Sequence, residues 1–139
     1  MKNLTDFPVQ VKIPIAREEM GNFSHVKNIF YVRYFECVRI EYLKEIGLND
    51  LKCKTGIYVI VAQTICNYLK PLVYPDQITV GAKVKSMGKS SFVLEYIIES
   101  EKIGVAATGE EVIVLYDYNN SKKAELPKVI KEAIEKIEA

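Results

Sequence analysis

The residues with the clearest chemical potential lie in one stretch, residues 18–39. Glu18 and Glu19 stand seven and six positions before His25, the only histidine of the chain, and a helix-like pattern begins at about Asn28. A carboxylate in a desolvated loop can act as a general base, because burial raises its pKa towards neutrality. We expect Glu19 to be the better candidate of the two, although a solvated loop acid has the same sequence signature.

The start of the predicted helix offers a second kind of chemistry. The first backbone amides of a helix have no acceptor within the helix and lie at its partially positive end, so they can stabilise an oxyanion. The sequence places these amides near Lys27, Asn28 and Ile29. The side chain of Asn28 either orients a water or a carbonyl group, or it caps the helix.

Two charged residues inside the helix pattern are further candidates. Glu36 lies among apolar residues, where a charge must find a partner or lose its ionisation. Its spacing to Arg39 and to Arg33, three residues in either direction, favours a structural ion pair, with a catalytic carboxylate as the alternative. Arg39 either belongs to that ion pair or orients a reacting carbonyl.

The composition restricts the class of protein. A chain of 139 residues with 49% apolar content suits one domain, and we draw no boundary within residues 1–139. The net charge of +1 gives no electrostatic footprint for nucleic acid, and no apolar run is long enough for a membrane span. The three cysteines and the amino-terminal residues predict reduced thiols in a cytoplasmic protein without a secretory signal. A lone histidine with no cysteine close by argues against a metal site.

The elements that must position these residues follow from periodicity. Alternation predicts an edge strand over 9–15, because Pro14 cannot donate to a ladder, and residues 17–25 are interpreted as a loop. Three- and four-residue apolar steps predict a largely enclosed helix over 28–46, started by Ser24 or Asn28 as a cap and ended by Gly47. A strand covered on both faces is expected over 57–69. Further strands are expected at 78–85, 92–98 and 105–117, with a final helix from Pro127. One antiparallel sheet curled around one long helix, an α+β fold, buries both elements.

Within this pattern the chain resembles a known family. The runs His25-Val26-Lys27-Asn28, Tyr31-x-Arg33-Tyr34-Phe35-Glu36 and Arg39-x-Glu41 resemble the 4-hydroxybenzoyl-CoA-thioesterase-like hot-dog proteins, and a second match covers 68–71, 76–78 and 88–92. The loop is closer to that of the enediyne polyketide thioesterases, which also lack the family's aspartate. Gly21 stands at that aspartate's position here.

The resemblance implies a hot-dog fold and hydrolysis of an acyl-CoA or acyl-carrier-protein thioester. It implies no cofactor, since coenzyme A or phosphopantetheine is part of the substrate. It also implies a homodimer or homotetramer with a shared active site. The catalytic candidates are then Glu19, Asn28, Arg39 and Glu36. The candidates for substrate binding are Gly21, Asn22, His25, Tyr31, Ser90 and Ser91. For several of these a plain structural role has the same signature: loop-holding for His25, core packing for Tyr31 and turn formation for Ser90 and Ser91.

Two alternatives to a hydrolase stay open on the sequence. The glycine at position 21 fits a non-catalytic module that binds acyl thioesters. A hydratase or dehydratase of the same fold fits less well, because that chemistry commonly pairs a histidine with an acid.

Overall fold

The computed structural model describes residues 3–139 as one strongly curled, six-stranded antiparallel sheet wrapped around a helix. Short 3₁₀ turns at Leu4–Asp6 and Arg17–Met20 accompany three helices and six strands. The helices and strands are β1 Val9–Pro14, α1 Asn28–Glu45, α2 Leu48–Thr55, β2 Ile57–Tyr68, β3 Gln77–Met87, β4 Ser91–Ser100, β5 Gly104–Asp117, β6 Lys122–Lys123 and α3 Lys128–Glu138. The strand order is β1-β3-β4-β5-β2, with β6 paired to the end of β5.

Helix α1 has the length that its periodicity predicts. Its 18 residues make five turns, and one face is buried against the sheet through Tyr31, Tyr34, Phe35, Val38, Tyr42 and Leu43. Gly47 follows in the left-handed conformation at φ 87° and ends the helix, as predicted. The expectation of an enclosed helix is only partly right, because Ile29 and Ile40 on the other face are 61% and 55% exposed.

The predicted caps of α1 are wrong. The residue that precedes the helix is Lys27, with extended backbone at φ −67° and ψ 143°, and it makes no side-chain capping bond. The helix start is therefore left with uncapped amides, which matters for the site described below.

Strand β2 corrects one prediction about burial. Its apolar sequence predicts cover on both faces, yet β2 is an edge strand, paired on one side to β5 and open on the other. Ile60, Ile65 and Tyr68 are 39%, 43% and 45% exposed. An apolar strand with a free edge is a surface that natural proteins normally cover.

The remaining elements frame the sheet. Strand β1 is the opposite edge, as its proline predicts, and Pro14 pairs with Gln77 in its last register position. The predicted loop 17–25 contains a 3₁₀ turn, and α2 was not predicted at all. None of the helices in residues 3–139 is both long and apolar enough to cross a bilayer.

Candidate active site

A crevice opens where α1 begins. It has a volume of about 230 Å³ and lies between the first turn of α1 and the segment that follows β2. Its lining residues are His25, Asn28, Tyr31, Tyr68, Leu69, Lys70 and Pro71. The helix start is thus reachable from outside rather than sealed beneath side chains.

The backbone amides at this helix start are only partly satisfied. The N–H of Lys27 donates to the carbonyl of Glu19 at 3.0 Å, so it is not available to a ligand. In the described part of the chain the amides of Asn28 and Ile29 have no such acceptor. The three amides predicted from sequence therefore reduce to two, at the partially positive end of a five-turn helix.

Tyr31 closes the inner end of the crevice. Its hydroxyl donates to the carbonyl of Lys70 at 3.2 Å and accepts from the N–H of Leu72 at 3.0 Å, and the residue is 2% exposed. Burial raises the pKa of this phenol, so the hydroxyl stays protonated and keeps both bonds. The ring of Tyr68, which sequence analysis did not select, packs edge-on at 5.0 Å between centroids.

His25 lines the crevice with a defined ring orientation. Its Nδ1 lies 2.9 Å from the carbonyl oxygen of Val26, to which a protonated Nδ1 donates. That bond selects the tautomer in which Nε2 is an acceptor. The bond is to the next residue, so it orients the ring without tying the loop to another element, and the second nitrogen of this exposed ring is left available.

Glu19 lies outside the lining of the crevice and is engaged by two donors. Its Oε1 accepts from the N–H of Ala16 at 2.8 Å and from the hydroxyl of buried Tyr34 at 2.9 Å. Burial, followed by the bond to Glu19, raises the pKa of Tyr34 well above its ordinary value. These contacts fasten the loop to α1.

The other two loop candidates shape the backbone. Gly21 has φ 56°, in the left-handed region, and a Cβ there would lie 2.7 Å from Cε of Lys27. Glycine is required by this backbone conformation, whereas the flexible end of Lys27 is free to move aside. Asn22 follows on the exposed turn and does not line the crevice.

Glu36 and Arg39 lie in a separate groove between α1 and β2. This groove has a volume of about 540 Å³ and is lined by Val32, Arg33, Glu36, Arg39, Val61, Thr64 and Glu111. The predicted ion pair between Glu36 and Arg39 is confirmed at 3.5 Å, although Glu36 is 57% exposed rather than enclosed. At 1.5 Å per residue, Glu36 and Arg39 lie about 12 Å and about 16 Å along the helix from Asn28. Within one protomer they cannot contact a carbonyl held at the helix start.

Arg39 has a stronger partner that sequence analysis missed. Its Nη1 donates to Oε1 of Glu111 at 2.8 Å, and Glu111 also accepts from Tyr96 at 2.5 Å and from Thr64 at 2.8 Å. Burial lowers the pKa of Arg39, but the bond and charge of Glu111 outweigh it and hold that pKa above its ordinary value. The alternation of β5 was an available signal, since it places Glu111 on the same face as Ile113.

Ser90 and Ser91 are not brought to the crevice. The carbonyl of Ser90 accepts from Leu115 at 2.9 Å, and Ser91 begins β4. Ile98, seven residues along β4, pairs with Ala107, which in turn pairs with Tyr68 at the crevice. The two serines are therefore about 23 Å from the crevice in the same protomer.

Comparison with known proteins decides the family. A family model described as the thioesterase-like superfamily matches residues 16–134. The chain belongs to this superfamily. It is 30% identical over 105 residues to a putative esterase of Aquifex aeolicus, covering 75% of this chain and 80% of that one.

A solved structure shares the fold of this thioesterase-like protein, and a further relative is named as a thioesterase. The crystal structure of a thioesterase from Thermus thermophilus, complexed with coenzyme A and Zn, superposes with a TM-score of 0.84 at 28% identity and covers 96% of both chains. The long-chain acyl-CoA thioesterase FadM of Escherichia coli is 23% identical over 130 residues, covering 93% of this chain and 98% of FadM. The predicted hot-dog fold and the predicted class of thioester hydrolase are confirmed.

Proposed function

We propose that this protein hydrolyses acyl thioesters at the crevice where α1 begins. The observation that carries the proposal is the pair of unbonded amides at Asn28 and Ile29, beside a crevice that Asn28 lines. A thioester oxygen placed against these amides gains negative charge in the transition state, where the two donors and the helix dipole stabilise it.

The water is activated by His25 in this mechanism. With Nδ1 bonded to Val26, Nε2 accepts a proton as water attacks the carbonyl carbon. The tetrahedral intermediate then collapses, the carbon–sulfur bond breaks, and the leaving thiolate takes the proton back from the imidazolium. The products are a carboxylic acid and a thiol. Glu19 holds the loop that presents His25, because its carboxylate is already committed to Ala16 and Tyr34.

The substrate carrier in this proposal is coenzyme A, with acyl carrier protein as the second carrier to be tried. The Thermus thermophilus structure with coenzyme A and the named activity of FadM support the first choice. No metal or other cofactor takes part, since the amides do the work of polarising the carbonyl. The three free cysteines fit a reducing cytoplasm.

A second protomer completes the site. The open edge of β2 carries exposed Ile60, Ile65 and Tyr68, and Tyr68 also lines the crevice. Pairing of two β2 edges covers this surface and brings a partner to the crevice mouth. The proposed unit is a homodimer, and the mass in solution, measured by light scattering, shows whether dimers assemble further into a tetramer.

The amides can be tested one change at a time. Purified protein is incubated with acyl-CoAs of graded length and a thiol reagent that reports free coenzyme A. Asn28→Ala removes only a side chain, whereas Asn28→Pro also removes the amide. Proline is tolerated at a first helical position, and the extended backbone of Lys27 suits the residue before it. We expect Asn28→Pro to lower kcat about a hundredfold to a thousandfold below Asn28→Ala.

His25→Ala provides the matched test of the base. Added imidazole should restore part of the activity of His25→Ala and none of that of Asn28→Pro. Equal activities for Asn28→Pro and Asn28→Ala contradict the oxyanion role. Binding of acyl-CoA or of acyl-loaded carrier protein without release of a free thiol from either would instead identify a non-catalytic binding module.

A further inference from the structure

One hydrogen bond does not by itself fix the orientation of the His25 ring. Within the described residues that bond joins Nδ1 to the carbonyl oxygen of Val26 at 2.9 Å, so it holds a single ring atom. The ring can still pivot about the bond, and exposed side chains change rotamer within picoseconds to nanoseconds. A general base has to stay within hydrogen-bond reach of the proton that it removes. A second contact that fixes the plane of the imidazole therefore has functional value.

Phe23 supplies that second contact. Its ring stacks on the imidazole of His25 with 6.3 Å between the ring centroids and 23° between the ring planes. This separation lies within the roughly 4.5–7 Å over which aromatic pairs attract each other in offset-stacked arrangements. The stacked contact restricts the pivot that the hydrogen bond to Val26 leaves free. Together the two contacts define both the position and the plane of the imidazole.

Lys27 holds the ring of Phe23 in turn. Its ammonium nitrogen lies 5.6 Å from the centroid of Phe23, within the roughly 6 Å at which a cation is attracted to an aromatic face. The side chain of Lys27 reaches Phe23 by passing close to Gly21, since a Cβ at position 21 would lie 2.9 Å from that nitrogen. The backbone of Lys27 is fastened, because its N–H donates to the carbonyl of Glu19 at 3.0 Å. The contacts thus run from an anchored position beside α1 to the ring of His25.

Phe23 belongs to the loop and not to the core. It is 60% exposed and lies outside the hydrophobic cluster beneath α1. It does not line the crevice either, so it is not placed to contact the thioester. Its N–H donates to the carbonyl of Met20 at 2.9 Å, so the backbone sets the turn that carries the ring. A change of this side chain should therefore act on His25, with little effect on stability or on substrate binding.

We propose that Phe23 is a positioning residue, whose ring keeps the imidazole of His25 in one orientation at the crevice. This inference rests on the proposed function, in which His25 activates the water. It extends that function by a residue that does not touch the substrate, and by the cation of Lys27 that steadies the ring. An aromatic pair shifts an equilibrium by about twofold to about tenfold, and this is the expected size of the loss in kcat.

A double-mutant cycle tests whether Phe23 acts through His25. The substrate is the acyl-CoA that the wild type hydrolyses fastest in a series of graded length. We expect Phe23→Ala to lower kcat about twofold to about tenfold with KM unchanged, and Phe23→Tyr, which keeps the ring, to restore kcat. In the His25→Ala background the same change should cost nothing, because no imidazole remains to be positioned. Imidazole added to His25→Ala and to the double variant should restore equal activities.

Nuclear magnetic resonance gives a readout that does not depend on activity. His25 is the only histidine of the chain, so untagged protein gives a single set of imidazole signals. In the wild type the ring current of Phe23 should displace these signals, and nuclear Overhauser contacts should connect the two rings. Phe23→Ala should move the signals towards those of a free histidine. Tyr118→Ala is the matched control, because it removes another aromatic ring that is 51% exposed, and it should leave the signals in place.

The outcomes separate this inference from the proposed function. Equal kcat for Phe23→Ala and the wild type, a raised KM with kcat unchanged, or an equal loss with and without His25 overturns the positioning role. A lower mass of Phe23→Ala in light scattering overturns it as well, because Phe23 would then be an interface residue. If His25→Ala instead hydrolyses the thioester as fast as the wild type, the proposed function loses its base, and the contact between the two rings has no catalytic meaning.

Discussion

The guanidinium of Arg39 lies 2.8 Å from the carboxylate of Glu111, a residue with only 1% of its side chain exposed. The pair joins the middle of α1 to the centre of β5. Tyr96 and Thr64 complete the hydrogen bonding of the carboxylate from β4 and β2. A buried charge satisfied by three donors fixes the position of the helix relative to three strands.

Removing one partner of this pair should destabilise the protein strongly. Arg39→Met leaves a buried carboxylate without its cation, and we expect the free energy of unfolding to fall by about 3–5 kcal/mol. The double variant Arg39→Met with Glu111→Leu should recover much of that loss, since no uncompensated charge remains. Urea unfolding measures both. A stable Arg39→Met with kcat lowered a hundredfold would instead assign Arg39 a direct role in the reaction.

Glu19 should be replaceable by its amide. In Glu19→Gln the side-chain oxygen can still accept from Ala16 and Tyr34, so we expect kcat to stay within about threefold of the wild type. Glu19→Ala leaves buried Tyr34 without an acceptor and should cost about 1–3 kcal/mol of stability. Activity assays and urea unfolding on the two variants check this. A loss of about a hundredfold in kcat for a stably folded Glu19→Gln would make this carboxylate the general base.

The elements set by local spacing were predictable, and the contacts set by sheet register were not. The apolar steps of α1 lie within one segment, so its length and its end at Gly47 followed from sequence. Whether β2 is central or an edge depends on strand order, which its own residues do not encode. The role of Glu111 likewise depends on its register with Thr64 across 47 positions of sequence.

The same distinction, between features set by local spacing and contacts set by the fold, applies to the candidate site. The position of the donor amides was predictable because the first amides of any helix lack an acceptor within the helix. The absence of a side-chain cap and the crevice beside these amides required the folded chain. The separation of Arg39 from Asn28 was also implied by helix geometry. The commitment of Glu19 to Tyr34 required the folded loop, since 15 positions separate the two residues.

The free edge of β2 should hold a second copy of the chain. Light scattering of the wild type should give the mass of a dimer or a tetramer. Ile65→Lys places a charge on the edge strand and should shift the protein towards monomer at low concentration. Val129→Lys, at a residue 64% exposed on α3, is the control and should not change the mass. A monomeric wild type, or equal masses for the two variants, would contradict a dimer through β2.

Stability should decline at alkaline pH because buried tyrosines are bonded to carboxylates. Tyr42 donates to Glu138 at 2.5 Å and Tyr96 donates to Glu111 at 2.5 Å, and both are at most 1% exposed. Burial first, and then the neighbouring carboxylate, raises the pKa of each phenol well above its ordinary value of 10.0.

The sign of the effect follows from proton binding. Above about pH 10 the unfolded chain loses these protons while the folded chain keeps them, so the free energy of unfolding falls as pH rises. Each tyrosine contributes a slope of about 1.4 kcal/mol per pH unit, and below about pH 10 the full stability is present. Urea unfolding between about pH 8 and about pH 11 measures the slope. Tyr42→Phe should make it shallower, and Tyr118→Phe, at a residue 51% exposed, should leave it unchanged. A slope that is the same in Tyr42→Phe and the wild type would show that this phenol ionises equally in both states.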